Sequence, residues 1–148
     1  MENLTLVIPA KNEKESLPAV LDELKKFNLH IIIVLEKNDI ETINSIKKYD
    51  CRIVYQKNNG YGNALIEGIN LVSTKFFCIF NADGSFNPEE LQQMHEIVKN
   101  DKIKMVFATR YETNCSSEDD TLITYIGNFF FTKLGNVLFK LKITDILY

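Results

Sequence analysis

The sequence has little of what marks several specialised classes of protein. Its 148 residues include six glycines and three prolines, too few for a collagen-like or low-complexity chain. No apolar run approaches the roughly 20 residues that cross a bilayer. Residues 1–3 lack the basic start of a secretory signal, so we expect a reducing, cytoplasmic compartment.

Metal-binding and nucleic-acid-binding signals are equally sparse. The three cysteines, Cys51, Cys78 and Cys115, contain no C-x-x-C spacing, and the two histidines lie far apart in sequence, so we expect no zinc site. The formal net charge is −3, with 17 basic and 20 acidic residues. Because a surface that follows phosphates needs an excess of Lys and Arg, we expect no nucleic-acid partner.

Apolar runs alternate with amphipathic segments along most of the chain. Short, β-branched runs indicate strands that are covered on both faces, and apolar residues at spacings of three and four indicate helices. The predicted strands are Leu4–Pro9, His30–Leu35, Arg52–Tyr55, Phe76–Phe80 and Met105–Thr109. The predicted helices are Glu13–Phe27, Ile40–Tyr49, Gly62–Val72 and Pro88–Lys99.

This alternation predicts an α/β fold with three layers, in which a mostly parallel, Rossmann-like sheet carries helices on both faces. The length predicts one domain over residues 1–148. Parallel sheets of this kind bind ligands in the crevice beyond the carboxyl ends of their strands. The residues that follow each strand are therefore the candidates for function.

The most informative of these residues follow the fourth strand, in Asn81-Ala82-Asp83-Gly84-Ser85. A carboxylate at the mouth of a buried strand is costly without a partner. A divalent cation shared with a diphosphate is a natural partner, and Asn81 can add an amide oxygen. The alternative is that Asp83 and Gly84 form an ordinary turn.

The loops after the first two strands carry further candidates. Pro9 ends the first strand, and together with Ala10 it can form a floor for a base and ribose. Glu13 can accept hydrogen bonds from ribose hydroxyls, and Glu36 from a base edge. The alternatives are a loop with a helix cap and a solvated strand end.

Glycines and an arginine follow the third and fifth strands. Gly60 and Gly62 let a ligand approach the backbone closely, although they do not form a dinucleotide fingerprint or a Walker loop. Arg110 can hold a phosphate with two hydrogen bonds. The alternatives are a turn beside a packed helix and a surface arginine.

The segment Ile123–Phe139 is rich in aromatic residues. One hypothesis places it at a membrane surface as an interfacial helix. Another makes it a core helix that packs on the sheet. An exposed part of it would also suit a homodimer contact.

Together these motifs resemble family 2 glycosyltransferases, which have the GT-A fold, and among them the dolichol-phosphate and undecaprenyl-phosphate sugar transferases. The matching segments are Leu6–Glu13, Ile31–Glu36, Asn58–Leu65, Phe80–Pro88, Ala108–Tyr111 and Ile143–Asp145. The resemblance implies inverting, metal-assisted sugar transfer from a nucleoside-diphosphate sugar to a polyprenyl phosphate or cell-envelope glycan. It also implies Mg²⁺ or Mn²⁺ as cofactor, a role in cell wall biogenesis and peripheral contact with the inner face of the membrane.

The resemblance also assigns roles to residues of this sequence. It implies three catalytic residues: Asp83, Arg110 at the donor phosphate, and Asp145 on the acceptor side. It implies metal binding by Asp83 with help from Ser85. The residues that it implies for substrate binding are Pro9, Ala10, Glu13, Glu36, Gly60, Asn81 and Ala82.

Three departures from the family pattern define the alternatives. Asn81 stands where the metal motif usually has its first Asp, and Leu35 replaces the first acid of the pair that ends the second strand. Chains of the family normally continue beyond the position of Asp145, so we expect a C-terminally truncated domain. The main alternative is a nucleotide-sugar-binding module without turnover. A nucleotidyltransferase is a weaker alternative, because residues 9–13 do not form a Gly-rich basic loop.

Overall fold

The computed structural model describes residues 1, 3–108 and 122–145 of the chain. It divides the chain into two compact units, Met1–Glu96 and Ile97–Tyr148. The expectation of a single domain stays a prediction.

Four parallel strands and four helices alternate from the start of the chain. The strands are β1 (Leu4–Pro9), β2 (His30–Leu35), β3 (Arg52–Tyr55) and β4 (Phe76–Ile79). The helices are α1 (Ser16–Leu24), α2 (Ile40–Ile46), α3 (Tyr61–Ile69) and α4 (Glu90–Val98). The sheet has the order β3-β2-β1-β4, and every neighbouring pair is parallel, which confirms the predicted α/β class.

Alternate side chains of β1 enter two separate apolar clusters. Leu6 and Ile8 pack with α1, α2 and Leu91 of α4 on one face of the sheet. Val7 packs with Val34 and with α3 on the other face. The period of two along a strand therefore produces the three-layer arrangement that the sequence predicts.

Gly68 explains how closely α3 approaches the sheet. A Cβ atom at this position would lie 2.5 Å from Cγ1 of Val7 and 2.9 Å from Cγ2 of Val34. Only a residue without a side chain fits between helix and strands at this distance. The close packing holds the C-terminal part of α3 against β1 and β2.

The prediction of a fifth strand over Met105–Thr109 is wrong for residues 105–108, which the structure describes. Residues 103–108 have no regular secondary structure, and Met105 and Phe107 are exposed. A strand needs a neighbour for its backbone hydrogen bonds, and no strand pairs with residues 105–108 in the described part of the chain. Thr109 lies outside the described residues.

The helices are shorter than the sequence predicts. Helix α1, for example, covers Ser16–Leu24 rather than Glu13–Phe27, because residues 11–15 form the loop after β1 and a turn follows Leu24. Strand β4 ends at Ile79, although the N–H of Phe80 still donates to the carbonyl of Val7 at 3.0 Å.

The second unit contains α5 (Leu122–Phe139) and a segment that returns along it. The Asn136 side chain makes two hydrogen bonds to the backbone of Ile143, donating to its oxygen at 2.8 Å and accepting from its nitrogen at 3.1 Å. Asn128 donates to the carboxylate of Asp145 at 2.8 Å. No helix in the described residues is both long and apolar enough to cross a bilayer.

Candidate functional site

A pocket opens where the direction of sheet growth reverses. The chain adds β2 and β3 on one side of β1 and then returns to add β4 on the other side. Ligands of open α/β sheets bind at such a switch point. A pocket of about 490 Å³ lies here, and eight residues predicted from the sequence line it: Pro9, Ala10, Glu13, Glu36, Gly60, Asn81, Ala82 and Asp83.

The loop after β1 is held in place by the start of α2. Asn12 adopts a left-handed conformation with a φ of 61°, and its N–H donates to the Asp39 carboxylate at 2.8 Å. The N–H of Glu13 donates to the Thr42 hydroxyl at 3.0 Å. One Glu13 carboxylate oxygen also accepts from the Ser16 hydroxyl. These bonds fix a buried floor of Pro9 and Ala10 below the pocket.

An ion pair occupies the end of the pocket beyond β2. The Lys11 ammonium lies 2.9 Å from the Glu36 carboxylate, and both residues line the pocket. The Lys11 side chain is 69% exposed, whereas that of Glu36 is 21% exposed. A hydrogen bond to Glu36 and the attraction of its charge raise the pKa of Lys11, so the Lys11 ammonium stays protonated at neutral pH.

The loop between β3 and α3 forms another wall of the pocket. Gly60 has a φ of 106°, a backbone conformation that favours glycine, and α3 begins at the next residue, Tyr61. The backbone N–H groups of Lys57 and Asn58 donate to the Glu67 carboxylate at 2.9–3.2 Å, which ties this loop to α3. Partial desolvation, followed by the charge of Asp83, raises the pKa of Tyr61, so its hydroxyl remains a donor.

The loop after β4 is both a turn and a pocket wall. The Asp83 carboxylate accepts from the N–H of Ser85 at 2.9 Å, and Gly84 between them has a φ of 81°. The Asn81 amide donates to the Ser85 hydroxyl at 3.1 Å. The turn alternative is thus correct for the local geometry, while Asn81 and Asp83 also line the pocket.

The oxygen atoms of this loop suit a divalent cation that is shared with a ligand. Among the residues that the structure describes, no group of three or more His, Cys, Asp or Glu side chains is arranged to hold a metal ion. A cage made by the protein alone is therefore not found there. Mg²⁺ is commonly held by one or two carboxylates together with substrate phosphates, and the Asp83 carboxylate and Asn81 amide oxygen fit that pattern.

Two predicted catalytic residues, Arg110 and Asp145, belong to the second unit, Ile97–Tyr148. Arg110 lies outside the described residues, so its contact with a donor phosphate stays a prediction. Asp145 belongs to the second unit, where it is 2% exposed and accepts the hydrogen bond from Asn128. Its role on the acceptor side also stays a prediction.

Sequence reasoning missed four residues that line the pocket: Lys11, Gln56, Tyr61 and Ala64. Gln56 directly follows β3, so the rule that ligands bind beyond strand ends could have found it. Tyr61 and Ala64 face the pocket because α3 begins there. Lys11 lies two residues after the end of β1, so the same rule could have found it.

The fold and the pocket define an α/β domain with a candidate ligand site at the switch point of a parallel sheet. The sequence model described as Glycosyl transferase family 2 matches residues 5–147. The chain therefore belongs to glycosyl transferase family 2. The narrower resemblance to the polyprenyl-phosphate sugar transferases stays a prediction.

The chain is also similar to curated proteins, one of which is named as a glycosyltransferase. The chain is 28% identical over 133 residues to an uncharacterized protein of Methanocaldococcus jannaschii, a match that covers 86% of the chain and 55% of the relative. It is 29% identical over 91 residues to an uncharacterized glycosyltransferase of Mycobacterium bovis, covering 62% of the chain and 41% of the relative. The chain spans about half the length of the curated relatives it matches.

Proposed function

We propose that the chain binds the nucleoside-diphosphate sugar of a glycosyltransferase and takes part in transferring the sugar, with inversion, to a polyprenyl phosphate or cell-envelope glycan. The observation that carries this proposal is the convergence of the loops after β1, β2 and β4 on one pocket. Membership of glycosyl transferase family 2 supports it.

The order of the strands gives the proposed donor a direction. Strands β2 and β4 flank β1, so their ends lie about 10 Å apart at the usual spacing of about 4.8 Å. In the proposed pose the base lies beyond β2, near Glu36, and the diphosphate lies beyond β4, near Asp83. Pro9 and Ala10 support the nucleoside between them, and Glu13 accepts from the ribose.

The diphosphate end of the proposed pose is stabilised electrostatically. When bound, a Mg²⁺ or Mn²⁺ ion would neutralise charge on the departing diphosphate, and Asp83 with Asn81 would hold it. The N-terminus of α3 carries partial positive charge and faces the same pocket at Tyr61. The Tyr61 hydroxyl donates to a phosphate oxygen in this pose.

Removing the Asp83 carboxylate tests the proposed diphosphate end. Calorimetric titration of the chain with UDP- and GDP-sugars in the presence of Mn²⁺ should show binding that Asp83→Ala weakens by about tenfold or more, because a charged contact is lost. Asp22→Ala removes an exposed carboxylate from α1 and should bind like the parent chain. Unchanged affinity of Asp83→Ala would remove Asp83 from the site.

The nature of the acceptor determines whether a base is needed. A phosphate acceptor is already anionic near neutral pH, whereas a hydroxyl acceptor must lose its proton to a carboxylate. Asp145, the carboxylate predicted to lie on the acceptor side, is buried and already accepts from Asn128. These contacts favour a phosphate acceptor, so polyprenyl phosphate is the acceptor class we propose.

The exposed apolar face of α5 supports contact with a membrane surface. Phe129, Phe130 and Phe131 are each more than half exposed. Residues 122–144 contain three lysines and no acidic residue. Interfacial helices combine an apolar face with basic residues that attract anionic lipids. We therefore propose that α5 lies on the inner face of a membrane, where a lipid-linked acceptor is found.

Sedimentation with phospholipid vesicles tests the membrane contact. The chain should bind anionic vesicles more strongly than neutral ones, and Phe130→Ser should weaken binding severalfold because it removes apolar area from the interface. Phe77→Ser, which changes an exposed aromatic residue on β4, is the matched control. Equal sedimentation with and without vesicles, together with a dimer in solution, would assign the face to a second copy of the chain.

A module that binds the donor without turnover is the second candidate. The observation that favours it is Asn81, since the loop after β4 brings one carboxylate to the pocket where the family motif usually has two. Incubation with a nucleotide sugar, Mn²⁺ and polyprenyl phosphate separates the two functions. Release of nucleoside diphosphate supports the transferase, and tight binding without release supports the module.

A further inference from the structure

The Lys11–Glu36 pair presents an ordered set of hydrogen-bonding groups to the base end of the pocket. The ammonium offers a donor, and the two carboxylate oxygens offer acceptors beside it. An ion pair with one largely exposed partner, here Lys11, contributes little to stability. It can therefore rearrange around a ligand without a large cost to the fold.

The four common bases match this set unequally. Guanine presents the O6 acceptor followed by the N1–H and N2–H donors along one edge. Adenine and cytosine each present one amino group that can donate to a carboxylate oxygen. Their neighbouring ring atoms are acceptors and cannot donate to the second carboxylate oxygen. Uracil presents one N–H between two carbonyl oxygens, so the second carboxylate oxygen would face a carbonyl oxygen and be repelled.

We infer that this pocket selects a guanine nucleotide, with the Glu36 carboxylate accepting from N1–H and N2–H and the Lys11 ammonium donating to O6. This inference rests on the proposed function, because it takes the pocket to be a nucleotide site with its base end beyond β2. It goes further by naming the donor class, a GDP-sugar.

A second ion pair provides an internal control. Lys14 and Glu41 lie 2.7 Å apart and join the same two loop regions, from the start of α1 to the start of α2. Neither residue lines the pocket. Substitutions in this pair therefore report on the loss of a nearby surface ion pair without the loss of a base contact.

The first test compares nucleoside diphosphates on the unmodified chain. Calorimetry with Mg²⁺ should give an affinity for GDP about tenfold or more above that for UDP. IDP, which lacks only the N2 amino group of GDP, should also bind about tenfold more weakly, because a site built for a donor rejects an analogue without it.

The second test changes the recognising groups. Glu36→Gln should weaken GDP binding about tenfold or more and favour XDP over GDP, because the introduced carboxamide can donate to the xanthine O2 and accept from N1–H. Lys11→Met should weaken GDP binding by a smaller factor. Glu41→Gln and Lys14→Met should retain the affinity and selectivity of the parent chain.

The outcomes separate this inference from the proposed function. Equal affinity for GDP and UDP, a preference for UDP, or unchanged selectivity in Glu36→Gln would overturn the guanine assignment while nucleotide binding still stood. If no nucleoside diphosphate binds in the presence of Mg²⁺ or Mn²⁺, the proposed function fails and the guanine assignment fails with it.

Discussion

Helices α1 and α5 bury opposite kinds of side chain. Helix α1, in the first unit, buries Leu17 and Leu21 against the sheet. Helix α5, in the second unit, buries Asn128 and Thr132, while Phe130 is 61% exposed. Both segments are apolar enough in sequence to suggest an ordinary core helix, yet only α1 behaves as one.

The difference shows that two separate kinds of interaction determine which face of a helix is buried. In α1 the apolar residues at spacings of three and four determine it, since their burial is the dominant favourable contribution to folding. In α5 hydrogen bonds to the returning segment determine it, through Asn128 with Asp145 and Asn136 with Ile143. The apolar side chains of α5, such as Phe130, consequently remain exposed.

The largest stability effect should come from the apolar core of the first unit. Leu21 is 2% exposed, so Leu21→Ala should lower the free energy of unfolding by about 2–5 kcal/mol through lost burial and a residual cavity. Urea unfolding followed by circular dichroism measures the change. Glu23→Ala, at an exposed position of α1, should stay within about 0.5 kcal/mol of the parent chain.

Equal effects of these two α1 substitutions would break the comparison between the helices. A small loss for Leu21→Ala would mean that apolar burial does not hold α1 on the sheet. The free energies of unfolding would then not support the contrast between α1 and α5, even if the exposed face of α5 still bound vesicles.

The first three strands could be predicted with the bounds that the structure has. Short runs rich in aliphatic residues mark β1, β2 and β3, and the ends of these runs coincide with the ends of the strands. The segment 105–108 has a similar pattern but no partner strand in the described residues. The hydrophobic pattern of a segment predicts that it is able to form a strand. Whether it does so depends on a neighbouring strand, and the pattern of the segment alone does not show that neighbour.

The general position of the candidate site was also predictable, because parallel strands bring their carboxyl ends to one edge of a sheet. That rule places Glu36 and Asp83 at the same crevice without any knowledge of side-chain contacts. The bracing of the loops was not predictable. The Asn12–Asp39 hydrogen bond and the Lys11–Glu36 pair each join residues 25 or more positions apart, and their partners depend on the folded loop conformations.

A smaller stability effect should come from the polar contact inside the second unit. Asn128 is 2% exposed and donates to the buried Asp145 carboxylate, so Asn128→Ala should cost about 1.5–3 kcal/mol, the usual range for a hydrogen bond to a charged group. A double-mutant cycle with Asp145→Ala isolates their coupling from the other contacts of each residue. The two losses should be clearly less than additive. Additive losses would show that the pair does not determine which face of α5 is buried, and the apolar surface of α5 would then need a different explanation.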